Sequence, residues 1–263
     1  MSKTRSQFLL ALAFVSASML TASANAATFA NGDFQSYEDA DWGDESGTAG
    51  LLIADHYSSV YASTGGLLVV GVAGASGYSI AFNDPTQLLA YLPDNGPAGQ
   101  LVQDYANPSF TSSGRFGSDV VALKLNIDFS DAGYLATSGG VKFGDLIIGA
   151  DGSGLPALAS DQMLAPAFFG LTIRQFLDQA NVVLGGNAPY STNYLNTAQQ
   201  LNVSFINTVP SATAQRQLSI PMVSDAVPEP TAWGLMLIGF AAIGVAMRRQ
   251  HQQPQVGFAF NRR

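Results

Sequence analysis

Residues 172–186 read TIRQFLDQANVVLGG, and this stretch carries the clearest helix signals in the chain. Thr172 and Gln175 form a capping box, in which two side chains satisfy the first free backbone N–H groups of a helix. Apolar residues follow at intervals of three and four, and Gly185 with Gly186 supplies a stop. The stretch predicts an amphipathic helix with these residues on its buried face: Ile173, Phe176, Leu177, Ala180, Val183 and Leu184.

A second helix is predicted for residues 192–207, after a turn at 187–189 and before Pro210. Its apolar face would contain Leu195, Ala198, Leu201 and Phe205. Because short connections make consecutive helices antiparallel neighbours, the two segments predict a helical hairpin packed on the rest of the body.

Two strands are predicted upstream, at residues 66–72 and 78–82, which are β-branched and aromatic with glycines between them. Asp84-Pro85 has the form of an N-cap and first helical position, and starts a short helix that Pro93 ends. The chain therefore predicts an α+β body over residues 27–207, in which an N-terminal β-hairpin or meander packs with the helical hairpin.

Residues 120–129 fit two structures. Apolar and polar residues alternate there, which favours a strand with one wet face. A helix capped by Ser118 would also bury Val121 with Leu125, and alanine, leucine and lysine favour helix. Periodicity favours the strand slightly, and both readings stay open.

The body is strongly acidic. Residues 27–228 contain 18 acidic and five basic side chains, a net charge of −13. This surface repels nucleic acid and anionic lipid, so no nucleic-acid partner is expected. The chain has no cysteine, which excludes disulfides, thiolate metal sites and cysteine nucleophiles.

Acidic residues crowd the segment 38–45, beside Tyr37 and Trp42: Glu38, Asp39, Asp41, Asp44 and Glu45. Oxygen ligands in a glycine-containing loop are what Ca²⁺ prefers, but the spacing departs from the twelve-residue EF-hand pattern. The segment predicts a solvated acidic loop, with a calcium site as the alternative. No other cofactor is expected.

The body contains few combinations of residues that known catalytic mechanisms require. His56 is its single histidine, which leaves a serine hydrolase or a zinc site short of the residues it needs. Paired carboxylates for glycoside hydrolysis remain as candidates, either Asp128 with Asp131 or Asp145 with Asp151. We expect that the protein is not an enzyme, and keep an exported glycan hydrolase as the alternative.

Four tyrosines could stack on sugars: Tyr57, Tyr61, Tyr78 and Tyr91.

The N-terminus has the form of a Sec-type signal peptide over residues 1–26. Lys3 and Arg5 precede an apolar region at residues 8–20, and Ala24-Asn25-Ala26 is a small-x-small cleavage site. The body is therefore expected to be exported.

The C-terminus has three parts in a fixed order. Pro228-Glu229-Pro230 keeps the backbone extended, residues 232–247 lack charge, and Arg248-Arg249 follows. A helix of 16 residues covers roughly 24 Å, which is shorter than a bilayer core of about 30 Å. Trp233 and the two arginines would therefore have to anchor its ends at the interfaces. This predicts a single membrane span with its C-terminal end in the cytoplasm.

These tail residues resemble the PEP-CTERM sorting domain of Gram-negative bacteria, in the variant with tryptophan three positions after the second proline. The resemblance implies recognition of Pro228, Glu229 and Pro230 by an exosortase at the inner membrane, in bacteria that make extracellular polysaccharide. It divides the tail into a linker at 208–227, the sorting domain with its span at 228–250, and a cytoplasmic end at 251–263. Gly234 stands where that variant often has alanine, and the tail is longer than usual.

The body itself resembles a loose set of secreted bacterial proteins without assigned activity, through segments at 122–127, 171–177 and 180–186. This likeness favours helix over strand for residues 118–126 and implies no catalytic residue. We therefore expect an exported envelope or matrix protein, with a structural or adhesive role beside exopolysaccharide or biofilm. It would be anchored in the inner membrane at least transiently and then reach the cell surface or matrix.

Overall fold

The computed structural model describes residues 29–151 and 158–221. Helices alternate with short strands, which confirms an α+β fold with a small sheet. The helices are α1 (Asp39–Gly43), α2 (Thr48–Val60), α3 (Pro85–Tyr91), α4 (Gly114–Asp131), α5 (Ile173–Leu184), α6 (Thr192–Asn202) and α7 (Ala212–Gln217). The strands are β1 (Leu68–Gly71), β2 (Ser79–Phe82), β3 (Tyr105–Ala106), β4 (Ile147–Ile148) and β5 (Leu218–Ser219).

The predicted β-hairpin is present. Strand β1 pairs antiparallel with β2, with Leu68 opposite Phe82, and β3 adds to β2 in parallel. Helix α3 follows as predicted, because the Asp84 carboxylate accepts a hydrogen bond from the Thr86 backbone N–H at 2.8 Å. This N-cap satisfies one of the helix's free donors.

Helix α4 is the centre of the fold, and the strand favoured by periodicity at residues 120–129 is wrong. The helix packs against α1, α5, α6 and β1, and four of its polar residues are inside: Ser118, Asp119, Asn126 and Ser130. Buried Asn126 donates to the Tyr37 carbonyl at 2.8 Å and to the Asn202 side chain at 3.1 Å. Asn126 is therefore a buried polar residue of a helix, although its place in the alternating pattern suggested the wet face of a strand.

Helix α5 begins at the predicted capping box, and both reciprocal hydrogen bonds between Thr172 and Gln175 are formed. The predicted helical hairpin is wrong, since α5 and α6 each pack mainly on α4 and have little contact with one another. Helix α6 also ends earlier than predicted, at Asn202. Phe205 leaves the helical path and packs its ring between those of Phe29 and Phe34, with ring centroids 5.2 and 5.3 Å away.

The segment predicted as a linker from residue 208 is folded as far as the structure describes it. Helix α7 is followed by β5, which pairs antiparallel with β4 and buries Leu218. The Gln215 side chain accepts from the Phe29 N–H at 3.1 Å and donates to the Phe29 carbonyl at 2.6 Å. These contacts tie the C-terminal end of the folded region to its first described residue.

Both predicted membrane-directed segments, the signal peptide at residues 1–26 and the span at 232–247, lie outside the described residues. Within 29–151 and 158–221, no helix combines the length and the apolar character needed to cross a bilayer.

Candidate functional site

A surface pocket of about 430 Å³ lies where the end of α2, the start of β1 and the C-terminal half of α4 meet. Part of the lining is aliphatic, formed by Val60, Leu67 and Val69. Another part carries Lys124, Asp128 and Asp131 from successive turns of α4. The pocket therefore joins an apolar wall to a wall of hydrogen-bonding groups.

The Asp128 carboxylate accepts three hydrogen bonds from two side chains. The Lys124 ammonium lies 2.9 and 2.8 Å from its two oxygens, and the Tyr61 hydroxyl donates to one of them at 2.8 Å. Burial, and then the charge of Asp128, raise the pKa of Tyr61 well above its ordinary value, so this hydroxyl keeps its proton. The position of the carboxylate is therefore fixed by contacts within the protein.

Asp131 forms a two-point ion pair with Arg174 of α5, with N···O distances of 2.8 and 3.0 Å. The Arg174 guanidinium also reaches Asp145 at 3.4 Å, while Asp151 pairs with Arg216. Of the two predicted carboxylate pairs, Asp128 and Asp131 line one pocket, whereas Asp145 and Asp151 are bound to different arginines.

His56 is partly buried, and its ring stacks on that of Tyr134 with centroids 3.9 Å apart. It lies one helical turn before Val60 on α2, so the ring pair is next to the pocket's α2 edge. This contact gives His56 a packing role.

The acidic segment 38–45 is a short helix and its flanks, where a solvated loop was predicted. Glu38 and Asp41 cap α1 reciprocally, and the Asp44 side chain accepts from the Ser46 N–H and hydroxyl. Asp39 accepts from the Ser118 hydroxyl at 2.7 Å, which ties α1 to α4. In the part of the chain that the structure describes, no three acidic or histidine side chains are grouped to hold a metal ion.

Of the tyrosines considered for stacking on sugars, Tyr57, Tyr61 and Tyr91 belong to the core. Tyr57 donates its hydroxyl proton to the Phe82 carbonyl at 2.6 Å. Tyr78 alone of these four is exposed, with 41% of its surface accessible. Core packing therefore explains the other three.

The sequence did not single out Asp119, which is buried in the second turn of α4 with 4% of its surface exposed. Burial, and then the charge of Asp39, raise the pKa of its carboxyl to about 8, although hydrogen bonds from Gln199 and Asn202 and the charge of Arg115 oppose this. Its Oδ2 atom has no hydrogen-bond partner in the described residues. Its spacing from apolar residues could have indicated burial, because on a helix Asp119 shares one face with Phe116, three residues before it, and Leu123, four residues after it.

The predicted sorting and anchoring residues, Pro228, Glu229, Pro230, Trp233, Arg248 and Arg249, lie outside the described residues, and their evidence comes from comparison. A family model of the PEP-CTERM protein-sorting motif matches residues 226–250. The chain therefore carries a PEP-CTERM sorting motif, which indicates exosortase-dependent sorting of an exported protein. No curated protein and no solved structure matches the chain.

Proposed function

We propose that this protein is a non-enzymatic component of the bacterial envelope or extracellular matrix, with a structural or adhesive role in a polysaccharide layer. The match of the sorting motif at residues 226–250 carries the proposal, because it indicates that an exported body is delivered by an exosortase. Delivery would pass through the inner membrane, where the apolar residues 232–247 hold the body transiently before release to the surface or matrix.

Two features of the body support a structural or adhesive role. Its net charge of −13 suits a hydrated outer surface, and would also allow cations to bridge it to acidic polymers. Its carboxylates are largely engaged in internal contacts, such as the helix caps of α1 and the ion pairs of Arg174. Carboxylates fixed in this way stabilise the fold and leave few free groups for proton transfer.

The hydrolase alternative rests on Asp128 and Asp131, which line the same pocket. Glycoside hydrolysis needs one protonated carboxyl and one carboxylate on opposite sides of the scissile bond. Here both groups project from one wall and each is matched by a cation, Lys124 or Arg174. This arrangement favours binding over acid and base catalysis.

Cell fractionation tests the sorting step. In cells with and without their exosortase, full-length protein should move from the inner membrane to the surface or medium only when the enzyme is present. The double change Pro228→Ala and Pro230→Ala should block that movement, because the extended backbone and its recognition elements are lost. Pro254→Ala, in the same tail but outside the motif, is the matched control. Equal release of the double variant and the control would contradict the proposal.

A further inference from the structure

We propose that the pocket between α2, β1 and α4 binds a neutral sugar unit of a polysaccharide. The inference rests on the proposed function, since it names the class of ligand through which the exported body would contact a polysaccharide layer. It is drawn from the pocket's size, its charge balance and the arrangement of its apolar and polar walls.

Size and shape permit a small ligand. A volume of about 430 Å³ lies within the range of about 300–1,000 Å³ that is usual for small-molecule sites. Leu67 is exposed at the pocket although it is a large apolar residue, and Val60 and Val69 extend the same surface. A ligand with a C–H face would remove this apolar surface from water.

The charges in the pocket are matched within the protein, which argues against an ionic ligand. Lys124 is paired with Asp128, and Arg174 contacts Asp131 most closely and also reaches Asp145, so each carboxylate at the pocket already has a cation beside it. An anion would also be repelled by the acidic body as a whole. A metal ion would need a third ligand, and no such group of side chains occurs among the described residues.

The polar wall has hydrogen-bonding capacity left for hydroxyl groups. An ammonium group has three donors, and Lys124 directs two contacts at Asp128, which leaves a donor for a ligand. The Asp128 side chain is 16% exposed, and a carboxylate has about four lone-pair positions, of which three hydrogen bonds are used here. Ser63 adds an exposed hydroxyl at the rim. Donors and acceptors that share a pocket with apolar side chains suit a sugar ring, which has hydroxyls at its edge and C–H groups on its faces.

The test uses full-length protein in a detergent whose headgroup contains no sugar, such as a polyoxyethylene ether. The probes are the methyl glycosides of glucose, galactose, mannose and N-acetylglucosamine. Saturation-transfer NMR should show magnetisation transfer from the protein to the ring protons of at least one of them, with millimolar affinity. No transfer to any probe overturns the inference.

Two variants locate the binding. Ser63→Phe places a ring at the pocket from an exposed position and should weaken sugar binding at least tenfold. The control is Ser58→Phe, which is exposed on α2 outside the pocket lining and should leave sugar binding unchanged. Lys124→Met keeps the aliphatic stem but removes the donors, and should weaken binding severalfold. Equal affinity of the two phenylalanine variants would place the sugar elsewhere and overturn the inference.

Salt separates a neutral ligand from an ionic one. Raising NaCl from 50 to 500 mM should change the affinity for the bound glycoside less than about twofold, because no net charge is neutralised. Binding of inorganic phosphate or Ca²⁺ that Ser63→Phe abolishes, without any glycoside binding, would assign the pocket to an ion. In that case exosortase-dependent release of the protein would still stand, because fractionation measures sorting independently of the pocket.

Discussion

Replacing Asp119 by asparagine should stabilise the folded body in a strongly pH-dependent way. The carboxyl is buried against Asp39, with Gln199 and Asn202 of α6, Arg115 of α4 and the Tyr190 ring also near it. Burial, and then the charge of Asp39, raise its pKa from an ordinary 3.8 to about 8, against the opposing effects of Gln199, Arg115 and Asn202. The side chain of asparagine has nearly the same shape and cannot ionise, so it removes the cost of burying a negative charge.

The expected magnitude follows from proton linkage. Between about pH 4 and pH 8 the folded protein keeps a proton on Asp119 that the unfolded chain has released, so rising pH favours unfolding. Each pKa unit is worth about 1.4 kcal/mol, and a shift of roughly four units lowers the free energy of unfolding by up to about 6 kcal/mol across the window. The stability difference between Asp119→Asn and the natural chain should therefore widen by about 1.4 kcal/mol per pH unit from pH 5 to pH 7.

Urea unfolding of the full-length chain in non-ionic detergent measures this difference. Trp42 is fully buried, and its fluorescence reports on the body once Trp233 in the tail is replaced by phenylalanine in every variant. Asp178→Asn on the exposed face of α5 is the matched control, and its stability difference should not follow the same slope. A constant difference between Asp119→Asn and the natural chain, within about 0.5 kcal/mol from pH 5 to pH 7, would refute the reasoning.

Three further changes test the packing of the fold by the same urea titration. Thr172→Ala should cost about 1 kcal/mol because the α5 capping box is lost, whereas Thr172→Ser, which keeps the hydroxyl, should cost little. Gly43→Ala should cost about 1–3 kcal/mol or prevent folding, because an added Cβ would overlap the Leu92 carbonyl. A variant as stable as the natural chain would contradict the close packing of α1 on α3. Gln215→Leu should cost about 1–3 kcal/mol, because it leaves the Phe29 backbone groups unpaired. Hydrogen exchange at the Phe29 amide should become faster, and unchanged exchange would argue against this contact.

Local features were predictable where the groups that form them are close in sequence. The α5 cap needs only Thr172 and Gln175, and the α3 cap needs only Asp84 and Thr86, so a few neighbouring residues specify both helix starts. The β1–β2 hairpin likewise joins neighbouring segments of β-forming residues.

The candidate site was less predictable, because its partners come from distant parts of the chain. Asp128 and Asp131 were recognised as carboxylates of interest, but their matching by Lys124 and Arg174 depends on α4 being a helix with α5 beside it. Asp119 was not singled out, because its burial depends on α1 and α6, which are distant in the sequence.

The sequence by itself determined how this protein is sorted. The order of Pro228-Glu229-Pro230, an uncharged stretch and paired arginines is a linear signal, and it was identified without any fold. Tertiary structure alone decided between strand and helix at residues 120–129 and buried much of the helix that forms there. It also decided that Phe205 enters an aromatic cluster with Phe29, and that residues 212–219 belong to the body. The physical reason is that hydrogen bonds to near neighbours can be read from a short pattern, whereas burial depends on which distant segments pack together.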